Sequence, residues 1–113
     1  MSTRTELATA ANGVEGLTAT PYFTSGTRAG TVWIRLDRIE FPDRFGGIAH
    51  WNVVLVLPQD QAESERYFEA TTPALREALA DHLVVTSVTP QRLQLDGVGP
   101  LSVAFINGHR EAD

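Results

Sequence analysis

The sequence predicts an α+β fold: a mostly antiparallel sheet with a short N-terminal helix and one long helix packed on one face. Three observations carry that prediction. Between Thr31 and Pro58 lie two long strand-like runs of near-equal reach, joined by a short polar turn. Directly after them comes an acidic, capped helical stretch. A Val/Thr-rich run, LVVTSVT, then opens a second pair of strands.

Taken in order, the chain first offers a short helix. Thr3 followed by Glu6 matches a capping box, Leu7, Ala8 and Ala11 fall on one face, and Asn12-Gly13 is a stop signal. So short a helix must dock on something to persist. Leu17–Phe23 reads as a strand broken near Pro21, and Ser25–Gly30 as a flexible loop.

In the first long strand Val32, Ile34 and Leu36 alternate inward while Trp33 and Arg35 point the other way. Ile39 and Phe41 resume the apolar pattern one residue late, which predicts a bulge near Asp37-Arg38. Pro42–Gly47 supplies the turn. In the return strand Trp51, Val53, Leu55 and Leu57 share a face, yet Val54 and Val56 are apolar too. That strand is expected to be central, covered by a helix on one side and by a neighbouring subunit on the other. Strands of this kind reach about 36 Å, so one element is expected to project beyond the core.

Asp60 and Glu63 repeat the capping logic for the second helix. Phe68, Thr72, Leu75, Leu79 and His82/Leu83 keep helical phase across Pro73, predicting one kinked helix over Asp60–Leu83. His82, in its last expected turn, is suited to the helix dipole. Val84, Thr86 and Val88 form a strand, expected to break at Pro90 and resume at Arg92–Leu95. Asp96-Gly97 with Gly99-Pro100 turns the chain, Leu101, Val103 and Phe105 alternate in a final strand, and the tail GHREAD is expected to be exposed.

Composition bounds the function. The 113 residues make a single domain, 1–113, that buries roughly two-thirds of its unfolded surface. Net charge is −5, and all 9 basic residues are arginine. An acidic chain is poorly suited to wrapping nucleic acid, although DNA could slide past it without sticking. The absence of cysteine removes disulfides, thiol catalysis and Cys-ligated zinc. MSTRTELATAANGVEGL has no continuous apolar run, so neither a secretory signal nor a membrane span is expected, and the chain is read as soluble and made in the cytoplasm.

The chemistry-bearing residues form no catalytic pattern. His50, His82 and His109 lack ligand spacing, so no metal is expected. No G-x-S-x-G elbow is present, and Gly26 and Gly30 lack the P-loop lysine. Asp37, Glu40 and Asp43 read as a solvated strand end beside Arg35, Arg38 and Arg44, in preference to paired catalytic carboxylates. No catalytic, cofactor or metal residues are assigned, and the chain is not read as an enzyme. The candidate contact residues are Trp33, taken as an exposed-phase aromatic, and Arg44, Phe45, Gly46 and Gly47 at the tip of the longest hairpin.

The run IRLDRIEFPDRFGGIAHWNVVLVLPQD, the acidic helix ending PALREALADHL, then VVTSVTPQRLQLDG and the closing GHRE resemble the small tail-terminator proteins of long-tailed actinobacterial phages. The resemblance covers Thr31 onward, and head–tail connector proteins share the same size and element order. It implies a homo-oligomeric ring of six copies that caps the tail tube and docks on the head connector, at the head-proximal end of the virion tail. The implied partners are copies of this chain, the major tail tube protein and the head–tail connector protein, with DNA passing through the lumen without specific binding and no membrane. The resemblance brings no catalytic residues. A head–tail joining or completion protein is the neighbouring reading. A small intracellular ligand-binding α+β domain is the reading from a different class, and a concave pocket with convergent polar groups would favour it.

Overall fold

The computed structural model describes residues 2–44, 46–97 and 99–112. Its elements are α1 (Thr3–Asn12), β1 (Thr18–Thr20), β2 (Thr31–Asp43), β3 (Gly46–Val56), α2 (Gln61–Leu79), β4 (Val84–Leu95) and β5 (Gly99–Glu111). The strands form one sheet in the order β1-β2-β3-β5-β4. All neighbours are antiparallel except β1 and β2. The expected α+β architecture is therefore present, with both helices against the same sheet face.

α1 buries Leu7, Ala8 and Ala11 as their spacing predicts, but its cap differs. Ser2, not Thr3, is the N-cap, its hydroxyl accepting from the Thr5 amide. Glu6 is thereby free of the capping role and pairs with Arg110. The Asn12 side chain donates to the Ala19 carbonyl at 2.9 Å and accepts from its amide at 2.7 Å. It thus satisfies β1 as a strand would. β1 is shorter than Leu17–Phe23 because Pro21 cannot continue the ladder.

β2 and β3 pair from Val32↔Leu55 to Asp43↔Gly46, and the register shifts between Leu36 and Arg38, where the change of apolar phase places the bulge. β3 is central, as expected. Its helix side packs Trp51, Val53, Leu55 and Leu57 with Leu7, Leu75 and Leu79. The other side is covered by this chain itself and not, as expected, by a neighbouring subunit. Val54 and Val56 are fully buried there among Trp33, Leu101, Val103 and Phe105, with Leu93 and Leu95 of β4 packed against them. Gln59 stitches this side closed, accepting from the Ser102 amide at 3.0 Å and donating to the Leu57 carbonyl at 2.6 Å.

α2 begins where Asp60 accepts from the Glu63 amide at 3.1 Å and runs through Pro73. Thr72 donates its hydroxyl to the Phe68 carbonyl at 2.6 Å, beside the carbonyl that Pro73 leaves without a donor. The helix ends at Leu79, short of the expected Leu83. His82 lies beyond the last helical turn, and its amide bonds back to the Leu79 carbonyl. Leu83 is still buried, delivered by that turn.

β4 does not break at Pro90. It is an outer strand of the sheet and pairs from Val84↔His109 to Leu95↔Gly99, so a proline without an amide donor is tolerated. The polar tail expected to be exposed is instead the end of β5. His109 and Arg110 sit opposite His50 and Ala49, and the Ala112 amide donates to the Gly47 carbonyl at 2.9 Å.

Candidate interaction surface

The expected projecting element is the distal half of β2. Val32, Trp33 and Ile34 are buried, and every residue from Arg35 to Asp43 is exposed. β1 covers only Thr31–Trp33 on the outer side of β2, and the Arg4 guanidinium covers one further position by donating to the Ile34 carbonyl at 2.7 Å. From Arg35 onward β2 pairs only with β3 among the described residues.

The apolar residues of this overhang share one face. Leu36 sits opposite Trp51 and Ile39 opposite Ala49, both in the helix-side core. Leu36, Ile39 and Phe41 are nevertheless 37%, 41% and 71% exposed. Gly47 lies under this stripe. A Cβ there would come within 2.8 Å of Ile39 Cγ2 and 2.9 Å of Phe41 Cε1, so only glycine lets both side chains lie across the hairpin.

The opposite face of the same strand is charged. Arg38 Nε donates to Glu40 Oε1 at 2.7 Å, a second Arg38 nitrogen reaches Asp37, and Arg35 lies 4.0 Å from Asp37. The hydrogen bond from Arg38, and then its positive charge, hold the Glu40 carboxyl below its ordinary pKa, and the same hydrogen bond to Glu40 holds the Arg38 guanidinium above its own. Asp37 and Glu40 are thus exposed and paired with arginine, as the sequence reading of this strand end expects.

Where β1 ends, the chain swings away from β2 and opens a cleft of about 440 Å³. Arg4, Tyr22, Phe23, Trp33, Leu36 and Phe105 are among its walls. Tyr22 is 68% exposed and stacked under the Arg4 guanidinium at 4.5 Å.

Of the expected contact residues, Trp33 is not exposed. It is 4% accessible, with Phe23 edge-on at 5.2 Å, because the non-helix face of the sheet carries a core of its own. Arg44 is exposed in the turn, and Gly46 opens β3 at φ 143° with open space around it. Phe45 lies outside the described residues.

Pairing across β3 and β5 also assembles groups that are distant in sequence. His50 and His109 face one another with ring centroids 5.7 Å apart, and His50 Nε2 is 3.0 Å from Glu40 Oε1. Asn52 donates to Asn107 Oδ1 at 2.7 Å, and Asn107 donates on to Ser87 at 3.0 Å. No linear spacing signals these contacts, which arise only from strand register. No group of three or more His, Asp or Glu among the described residues is arranged to hold a metal. No helix among them is long and apolar enough to cross a membrane.

Compared with protein-family models and with curated proteins, the chain matches neither.

Proposed function

We propose that this chain is a phage tail terminator, a structural subunit whose six copies form a ring. The ring caps the tail tube, ends its polymerisation and joins it to the head connector. The observation that supports this reading is the bare stripe of Leu36, Ile39 and Phe41 on the overhang of β2. A contiguous apolar ridge beyond the helix layer gains free energy only when another surface covers it. The partners are further copies of the chain, the major tail tube protein and the head–tail connector protein, and the location is the head-proximal end of the virion tail. A net charge of −5 suits a lumen through which DNA slides without binding.

Electron microscopy of assembled particles tests the proposal. A closed ring of six at the head-proximal end, roughly 74 kDa for six copies of a 12.3 kDa chain, is the expected density. Particles made without the chain are expected to carry tails of uncontrolled length. A single copy or a dimer at that position overturns the ring. Tails of normal length that fail to join heads would assign the chain to head–tail joining instead.

The cleft beside Trp33 favours a second reading, a small ligand-binding domain, because Arg4 and Arg35 line its aromatic interior. Saturable thermal stabilisation of the free chain by small aromatic carboxylates would support it, and its absence from particles would then be expected.

A further inference from the structure

We infer that two copies of this chain pair through the open edge of β2, antiparallel about a two-fold axis perpendicular to the sheet between Asp37 and Arg38. The residues of this edge are self-complementary in that register. Arg35 of one copy meets Glu40 of the other, Leu36 meets Ile39, and Asp37 meets Arg38. Each arginine faces a carboxylate and each apolar side chain faces another.

The bulge makes this register possible. Directly opposed residues of an antiparallel pair must share a sheet face. In a regular strand, residues separated by an odd number of positions lie on opposite faces, so Leu36 and Ile39 could not be opposed. The extra residue between Leu36 and Arg38 restores the match. Leu36 and Ile39 both lie on the helix side, opposite Trp51 and Ala49. Arg35 and Glu40 both lie on the other side: the Arg35 guanidinium sits 5.9 Å over Phe105, and Glu40 reaches His50.

The ends of the edge fit as well. At the near end the register brings Phe41 of the second copy up to Ile34, whose carbonyl the Arg4 guanidinium already holds, so the strand pairing closes at Arg35 and Glu40. Beyond it, Pro42 has no amide to donate and β1 already occupies the edge, so pairing stops there. The other open edge, β4, is interrupted by Pro90 and a register shift after Val85, and is the worse template.

This pairing does not rest on the ring. A free dimer would hold the sticky edge of β2 covered until the particle claims it. Sedimentation equilibrium of the intact chain tests it first: a concentration-dependent mass rising from 12.3 kDa toward twice that value is expected. Arg35→Glu alone and Glu40→Arg alone should each weaken association about tenfold or more by opposing like charges, and the double variant should recover it. Because the chain contains no cysteine, Leu36→Cys mixed with Ile39→Cys should form a disulfide faster than either variant alone. A strictly monomeric chain at all accessible concentrations overturns the pairing, even if particles carry the ring. Dimers indifferent to both charge reversals, or cysteines that cross-link equally in every combination, overturn it too, while circular dichroism confirms that the variants are folded.

Discussion

Arg110 Nη1 donates to Glu6 Oε2 at 2.8 Å, tying the first helix to the last strand across nearly the whole sequence. Arg110 also reaches the His82 carbonyl at 3.5 Å, so one guanidinium touches α1, the α2–β4 turn and β5. Both charged side chains remain about one-third accessible, and water screens the pair. A double-mutant cycle on Glu6→Gln and Arg110→Gln should therefore give a coupling of about 0.3–1 kcal/mol, falling as salt is added. A coupling well above that range would mean that the pair organises the fold.

Trp33 and Phe41 lie on the same strand and should behave oppositely. Trp33→Ala empties a packed position and is expected to cost about 3–5 kcal/mol in chemical denaturation. Phe41→Ala removes a solvated ring and should change monomer stability by less than about 0.5 kcal/mol. Equal costs for the two would mean that the overhang is part of the core.

Leu79 closes the last turn of α2 and is fully buried in the helix-side core. Leu79→Ala should cost about 2–5 kcal/mol, the larger values applying if the neighbours cannot collapse into the space. Urea denaturation with an unchanged slope would attribute the loss to packing.

Glu40 has a pKa held below its ordinary 4.5, first by the hydrogen bond from Arg38 and then by the charge of Arg38. A depressed carboxylate favours the folded state above the unfolded-state pKa, and this contribution is lost as pH falls through the folded-state value. Between the two values the unfolded chain binds more protons, so stability rises with pH there. Carboxyl NMR titration should place the Glu40 midpoint below 4.5 and move it upward in Arg38→Gln. A midpoint that does not respond to Arg38→Gln would remove Arg38 as the cause.

The sequence by itself determined the element types, the two helix faces, the central β3 strand, the bulge after Leu36 and the Asp60 cap. Each of these is written in local periodicity or in residues within a turn of one another. Only the tertiary structure decided what Glu6 does, since Arg110 reaches it from the far end of the chain. Only sheet order could show that Pro90 lies on an outer edge, where a missing amide does no harm, and that GHRE is strand. The same holds for Trp33. Alternation puts it on the face opposite the helices, but whether that face meets solvent depends on Phe23, Val54 and Phe105, which distant segments deliver. The exposed stripe follows the same rule: the pattern marks Leu36, Ile39 and Phe41 as apolar, and only the fold leaves them bare.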